Sequence, residues 1–396
     1  MFFVKLVKNS ALVSVFCAMY SVVHAGVKFT DIPENADFVI IVTSGKNKGT
    51  PLDYITQTHY QKYNDKYIKD IKEGFFNISD ECTRILDAGR ITPEKVASPY
   101  FITSLAFVAR VNSLDDITFR LKVTGDFDAK LLVNAIYSEC KKGDEDNVFS
   151  MKNEVMTINI EDSQASSFFT LRAIADNSLV LASGEYSESF KPISTVEFER
   201  MKISREYSTL LINAPRLQET FERAGVEMTK DNVAKFEAAV QPFARIKSFS
   251  LLSKDDIDSS NNTLTMLSAN DYDAKAIEAT ANVMIAIGKI LAEGLASDKT
   301  VSRVYQPYKT LPSKMLNAVT VNASGATVKI SSSTDLNVYS KLLEFVELDE
   351  PWDDCLEFII DFLNKEDAVE VEAFVEMLHE LGLYEKEKKF ESPYYR

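Results

Sequence analysis

A thirteen-residue stretch in the first half of the chain recurs about 145 residues later, and this recurrence restricts the fold more than any other feature. The two stretches are 118–130 and 263–275, and both end in Asp, an aromatic residue, Asp, Ala and Lys. In both, an alternating pattern precedes the aspartates and apolar residues at helical spacing follow them. The sequence therefore predicts an internal duplication, in which the same strand-to-helix unit is built twice.

The residues on either side of the match predict the same order of elements in both copies. An apolar strand opens each copy, helices follow, two paired strands lead into the aspartates, and a helix and a hairpin close it. The closing hairpins turn at Asp176-Asn177 and Ser324-Gly325, whose residue types tolerate a positive φ. The order β-α-α-β-β-α-β-β is typical of an α+β fold. We expect two tandem duplicated domains, each a mostly antiparallel sheet with helices packed on one face, plus a C-terminal helical hairpin.

These patterns divide the chain into five predicted regions. They are a signal peptide at 1–25, α+β repeat 1 at 26–190, a linker at 191–206, α+β repeat 2 at 207–346 and an acidic helical arm at 347–396. The predicted strands ahead of the closing hairpins are 38–42, 104–111, 117–124, 208–212, 248–253 and 263–269, and the helices ahead of the paired strands are 53–72, 79–88, 215–224 and 229–240.

The first 25 residues have the composition of a secretory signal. Lys5 and Lys8 precede an uncharged apolar run at 11–23, and Ala25 ends a small-residue cleavage site. A membrane anchor is the alternative, but a run of 13 residues is shorter than the ~20 that a spanning helix needs. We therefore expect an exported protein, periplasmic or secreted, without a transmembrane segment after signal cleavage.

The chain is acidic, with a formal net charge of −15, and it has no basic run. An acidic surface repels phosphate backbones, so the sequence argues against nucleic-acid binding. Much of the charge lies in the arm, where 347–396 holds 16 acidic and 5 basic residues, a net charge of −11.

Three cysteines remain after signal cleavage, Cys82, Cys140 and Cys355. An oxidising compartment allows one disulfide bond, and Cys82 and Cys140 are the candidate pair because both are predicted on helices of the first repeat. The alternative is that all three are small buried hydrophobic residues.

The repeated aspartates Asp126, Asp128, Asp271 and Asp273 are the candidate metal ligands, because Asp-x-Asp places two oxygen ligands close together. Helix capping is the other interpretation, since an aspartate at a helix start accepts backbone N–H hydrogen bonds. The sequence favours capping, because Ala and Lys follow the aspartates where a calcium loop needs further oxygen ligands and a glycine. The acidic run 255–258 is predicted to be a solvated turn between strands.

The arm carries two apolar stripes at helical spacing beside a strongly acidic face. Its candidate binding residues are Trp352, Leu356, Ile359 and Phe374. One interpretation is that the arm folds back onto repeat 2 and these residues complete its core. The other is that the arm docks on a second subunit or a basic partner.

The sequence has few of the residues that catalysis uses. Only His59 and His379 remain after signal cleavage, and HExxH, CxxC and GxSxG patterns are absent. We predict that His59 is an exposed or half-buried residue of a tyrosine-rich helix, and we expect no cofactor.

These observations favour a non-enzymatic binding or assembly module that acts through protein–protein contacts, with a protein partner or self-association. The alternative is an enzyme or small-ligand receptor with its site in the cleft between the duplicated domains.

Overall fold

The computed structural model describes residues 28–43, 50–76, 79–113, 116–142, 148–162, 165–187, 190–196, 209–225, 243–297 and 306–346. The predicted signal peptide, the predicted helix 229–240 and the acidic arm lie outside the described residues.

Twelve strands form one antiparallel sheet in the described part of the chain. They are β1 (Phe38–Thr43), β2 (Ile102–Val111), β3 (Ile117–Gly125), β4 (Phe149–Lys152), β5 (Val155–Asp162), β6 (Ala165–Ala175), β7 (Ser178–Ser183), β8 (Thr209–Ala214), β9 (Ile246–Asp255), β10 (Ser259–Ser268), β11 (Thr320–Ser324) and β12 (Thr327–Asp335). Their order across the sheet is β11-β12-β10-β9-β8-β1-β2-β3-β7-β6-β5-β4.

Eight α-helices accompany this sheet in the described ranges. They are α1 (Pro51–Ile71), α2 (Asp80–Ala88), α3 (Pro93–Val96), α4 (Ala129–Lys141), α5 (Leu217–Arg223), α6 (Asp271–Ser297), α7 (Leu311–Asn317) and α8 (Leu336–Val346). A π-helical turn, Lys72–Phe76, extends α1. The predicted α+β class with a mostly antiparallel sheet is confirmed.

Local sequence signals set the starts of the first four helices. Thr50, Ser79, Thr92 and Asp128 each precede one of them, and each side chain accepts a hydrogen bond from a backbone N–H of the first turn. Such caps satisfy N–H groups that have no partner inside the helix, so these boundaries follow from short-range chemistry.

The two halves of the chain meet where β1 pairs with β8 in antiparallel register, from Val39 opposite Asn213 to Thr43 opposite Thr209. Outward from this junction the first half runs β1-β2-β3-β7-β6 and the second half runs β8-β9-β10-β12-β11. The β4–β5 hairpin extends the first half alone. The halves are therefore joined edge to edge in one sheet.

Helices from both halves pack on the same face of the sheet. Val123 of β3 contacts the cluster formed by α2 and α4, and Met266 of β10 contacts α6. Residues directly opposite in antiparallel strands point to the same face. Successive opposite pairs lead from Val123 across the sheet to β10. They pass through Leu105, Val42, Leu210, Ser253 and Asn262. Asn262 and Met266 are four residues apart on β10, so Val123 and Met266 point to the same face.

The opposite face of the central strands is covered by two segments, each of which contains one short 3₁₀ helix, Phe29–Asp31 and Gly184–Ser187. Val39, Ile41 and Val108 are buried there together with Ile32 and Tyr186, which come from the segments on either side of the first half. The start of the predicted linker contributes, since Ile193 donates its N–H to the Ile32 carbonyl at 2.8 Å.

The structure also contains elements that the sequence pattern did not predict. The β4–β5 hairpin turns at Asn153 and Glu154, whose φ angles are 52° and 63°. This turn needs positive φ at two positions yet has no glycine, so its sequence signal is weak. Helices α7 and α8 were not predicted either, and they lie against α6 and α1 respectively.

Candidate interaction surface

The start of α6 is held by a polar cluster that buries one of the repeated aspartates. The Asn270 side chain accepts from the Asp273 N–H at 2.9 Å and donates to its carboxylate at 2.9 Å. Arg245 donates to the other oxygen of Asp273 at 3.2 Å. Asp273 is buried, so these donors replace the water that its carboxylate loses.

The inner side of α6 packs on the sheet through Ala274 and Ile277, which lie in one core cluster with Met266 and Val328. Farther along α6, near Gly288, the helix packs on α7. A Cβ added at Gly288 would lie 3.2 Å from Leu316 Cδ1, which shows how closely the two helices approach. The 27-residue helix is therefore anchored along one side by the sheet and then by α7.

Between residues 283 and 290, the outer side of α6 leaves four large apolar side chains in solvent. Val283 is 57% exposed, Met284 51%, Ile287 50% and Ile290 63%. Their spacing of one, three and three residues places them together on one side of the helix. Lys289 is the only charged residue in 279–292. We call these four residues the α6 face.

Helix α6 is long and apolar enough to span a membrane by length and composition, and 11% of its most apolar window is buried. It is the one helix of the described residues that meets this test. Core helices meet it too, so the property shows how apolar α6 is and nothing more.

The neighbouring edge of the sheet is partly closed by α6 itself. Glu278 accepts a hydrogen bond from the backbone N–H of Ala323 in the edge strand β11 at 2.9 Å. A side chain on this N–H takes the place of a further strand. One of the outward-facing N–H groups of the edge strand β11 is therefore occupied by a side chain of α6.

The sequence contained a signal for the α6 face. Ile277, Ala281 and Met284 recur at helical spacing, but Ala281 is buried and Met284 is half exposed. Apolar residues occupy every side of the helix between 283 and 291. A helix that is apolar all round exceeds what one packing face uses.

The candidate metal ligands all contact hydrogen-bond donors or cations. Asp128 caps α4 and accepts from the Leu131 N–H at 3.0 Å. The other three carboxylates pair with basic side chains; these contacts are Asp126 with Lys95 at 3.1 Å, Asp271 with Lys275 at 3.2 Å and Asp273 with Arg245 at 3.2 Å. Within the described ranges no group of three or more His, Cys, Asp or Glu side chains is placed to hold a metal ion.

The caps differ between the two halves. Asp126 and Asp271 occupy corresponding positions in the repeated stretch, and a duplication predicts that they lie at equivalent helix starts. In the structure, Asp126 lies three residues before α4, whereas Asp271 is the first residue of α6. Asp128 caps α4, whereas Asn270 caps α6. The cap residue is the one whose backbone is extended just before the first turn, and the two loops deliver different residues to that position.

The other candidate residues are placed as follows. Cys82 lies on α2 and Cys140 on α4, two helices that pack together, and no disulfide joins them in the described structure. Trp352, Leu356, Ile359 and Phe374 lie outside the described residues.

The prediction that His59 is exposed or half-buried is wrong. His59 is only 8% exposed, its Nε2 lies 3.0 Å from the Tyr67 hydroxyl, and its ring centroid lies 4.8 Å from that of Tyr63. Residues four apart on a helix share one side, so these rings stack along α1. The contacts of His59 with Tyr60, Tyr63 and Tyr67 all come from its own helix.

The acidic turn also differs from its prediction in one residue. Strand β9 ends at Asp255 and β10 begins at Ser259, so the predicted turn is present. Asp255 itself is only partly exposed. This burial raises the pKa of its carboxyl group, and the charge of Asp256 raises the pKa further.

A surface cleft of about 560 Å³ lies among the β9–β10 turn, α7 and the end of β12. Asp258, Lys314, Asn317 and Asp335 are among its lining residues. All of them belong to the second half of the chain, so this cleft is not located between the two halves.

Comparison with known proteins leaves the family open. No protein-family model matches the chain, and no curated protein matches it. Two crystal forms of TP0453, III and I, match with 10% and 11% identity and TM-scores of 0.35 and 0.32. Each match covers 81% of this chain, with 98% and 97% of the TP0453 chain. These scores are too low to establish a shared fold.

Proposed function

We propose that the protein is an exported, non-enzymatic binding or assembly module that acts through protein–protein contacts, with the α6 face as its contact surface. The observation that supports this most directly is the exposure of Val283, Met284, Ile287 and Ile290, each of which is at least half accessible. Contiguous exposed apolar residues on a folded protein are typical of interaction sites.

Two further features support a contact role. The sheet and α7 hold the inner side of α6, so the outer side is presented on a rigid support that loses little entropy on binding. The four residues of the face are uncharged, and Lys289, the only charged residue in 279–292, lies on another side of the helix, so a partner would desolvate few charges there. Export is supported by the composition of residues 1–25.

We also propose that the two halves arose by tandem duplication. The equal strand orders β1-β2-β3-β7-β6 and β8-β9-β10-β12-β11 support this, as does the strand, strand, helix order of 102–136 and 247–281. Under this proposal the halves diverged where α6 became longer and more apolar than its counterpart α4, which has 13 residues against 27.

The contact function is testable by site-specific photo-cross-linking in cells that express the full chain. The photoreactive residue p-benzoylphenylalanine replaces Ile290 on the α6 face. The control position is Ile257, which is 54% exposed in the β9–β10 turn. We expect a discrete protein adduct from position 290 that is absent from position 257.

An adduct with the mass of two chains indicates assembly, and an adduct with a different protein, identified by mass spectrometry, indicates a binding module. Equal adducts at both positions, or adducts with lipid alone, would contradict a protein–protein contact at the α6 face.

A further inference from the structure

The described chain ends next to the support of the α6 face. Val346 is the last described residue of α8, and Phe345 packs its ring 5.8 Å from that of Tyr308. The Tyr308 carbonyl accepts the N–H of Leu311, the first residue of α7, at 2.8 Å. Since α7 packs on α6 through Leu316, the arm 347–396 starts one short helix away from α6.

The arm is long enough to reach the α6 face. Helix α7 has seven residues and is about 10 Å long at 1.5 Å per residue. The six residues from Val346 to Trp352 span up to about 20 Å when extended, at ~3.3–3.6 Å each. These six residues therefore span about twice the length of α7, the helix that lies between α8 and α6.

The arm and the α6 face match in chemistry. The first stripe of the arm has an aromatic residue and aliphatic residues at helical spacing, beginning with Trp352, Leu356 and Ile359. The α6 face has apolar residues at the same spacing, and two such stripes pack as ridges into grooves. The acidic residues of the arm can remain in water while its apolar stripe faces the protein.

We propose that the arm of the same chain docks its apolar stripe on the α6 face and covers it when no partner is bound. The arm is then an intramolecular competitor of the partner, and binding requires its displacement. This inference rests on the proposed function, because it names the occupant of the same contact surface.

Trp352 makes this testable in the purified full-length chain, because it is the only tryptophan. The double variant Ile287→Glu, Ile290→Glu places two charges on the α6 face, and Ile257→Glu is the matched control. We expect a blue-shifted Trp352 emission in the unmodified chain and in the control. In the double variant we expect a red shift and a severalfold rise in the acrylamide quenching constant. Circular dichroism melts check that both variants stay folded.

A second measurement identifies the occupant directly. The full chain with p-benzoylphenylalanine at position 287 is purified, irradiated and mapped by mass spectrometry, with and without anionic lipid vesicles. We expect an intramolecular adduct between position 287 and a peptide of 347–396.

Three results would overturn the inference. A Trp352 emission that is already red-shifted in the unmodified chain, or unchanged in the double variant, means that the arm does not depend on the α6 face. An adduct between two chains assigns the face to a second copy, in which case the contact function stands and only the arm's role fails. An adduct with lipid alone assigns it to a membrane surface, in which case both fail.

Discussion

The fully buried carboxylate of Asp37, one residue before β1, accepts a hydrogen bond from the Arg223 guanidinium at the end of α5, with the two atoms 2.5 Å apart. The second carboxylate oxygen accepts from the Val111 N–H at 2.9 Å, and Arg223 also donates to the Val111 carbonyl at 3.1 Å. These contacts connect the two halves of the chain beside the β1–β8 junction. A buried charge needs such partners, because its desolvation is otherwise uncompensated.

Replacing Asp37 with Ala removes the acceptor of the Val111 N–H and one of the two acceptors of Arg223. We expect Asp37→Ala to lower the free energy of unfolding by about 3 kcal/mol. The control is Asp126→Ala, which removes the more exposed Asp126–Lys95 pair and should cost no more than about 1 kcal/mol. Urea denaturation of both variants measures the difference, and equal losses would contradict a stabilising role for the Asp37–Arg223 pair.

The helix caps predict a second difference between aspartates. Asp128→Ala and Asn270→Ala each remove a side chain that accepts a first-turn N–H, so we expect each to lower stability by roughly 0.5–2 kcal/mol. Asp271→Ala removes an exposed carboxylate paired with Lys275, and a smaller loss is expected. Thermal melts with calcium and with chelator should give the same ranking. A calcium-dependent rise in Tm that disappears in the aspartate variants would instead indicate a metal site.

Gly125 at the end of β3 lies where a side chain does not fit. An added Cβ would be 2.5 Å from the Phe101 carbonyl oxygen and 2.8 Å from the Phe127 ring. We expect Gly125→Ala to destabilise the protein by about 1–3 kcal/mol through this overlap. Gly74→Ala is the control, because its Cβ would meet nothing within 4 Å. Chemical denaturation of the two variants checks the expectation, and a neutral Gly125→Ala would contradict it.

Glu139 makes stability depend on acidic pH. Its carboxyl group accepts hydrogen bonds from Arg84, which has the larger effect, and from Lys142, and these lower its pKa from 4.5 to about 2. The folded state therefore holds fewer protons than the unfolded state in this range, and the stabilisation is present above pH 4.5 and is lost as the pH falls towards 2. We expect Glu139→Gln to weaken the decline of Tm over this interval. Glu293→Gln, at an exposed position on α6, is the control, and an identical decline in both variants would contradict the assignment.

Tyr100 links α1 to the start of β2. Its hydroxyl donates to the Asp53 carboxylate and accepts from Gln57 Nε2 at 2.8 Å. Tyr100→Phe removes a hydrogen bond to a charged group, so we expect a loss of about 1.5–3 kcal/mol at neutral pH.

Burial and the Asp53 hydrogen bond also raise the pKa of Tyr100 from 10.0 to about 12. The unfolded chain loses this proton first, so the contribution is present below pH 10 and falls as the pH rises towards 12. Absorbance titration of tyrosinate in the wild type and in Tyr100→Phe measures this pKa. If the tyrosine titration that Tyr100→Phe removes has its midpoint near pH 10 rather than near pH 12, the raised pKa is contradicted.

The prediction from sequence succeeded where structure depends on neighbouring residues. The strand predicted at 117–124 is β3 at Ile117–Gly125, and the helix predicted at 79–88 is α2 at Asp80–Ala88. The predicted hairpin turn at Asp176-Asn177 joins β6 to β7. Alternation, helical spacing, caps and turn residues all act over a few positions, so they can be read directly along the chain.

Which side of α6 faces solvent was decided by the tertiary structure. Ala281 and Met284 are three residues apart and both apolar, so spacing alone does not say which of them is buried. The sheet contacts the side that carries Ala274, Ile277 and Ala281, and Met284 therefore remains exposed.

The sequence by itself determined the class of the fold and the positions of several of its strands and helices, because local periodicity and turn chemistry suffice for these. Only the tertiary structure decided that β1 pairs with β8, that Asp37 meets Arg223, and that α6 presents an apolar face. Asp37 and Arg223 are 186 residues apart in the chain. Such contacts depend on which surfaces meet when the halves join, and no local pattern records that choice.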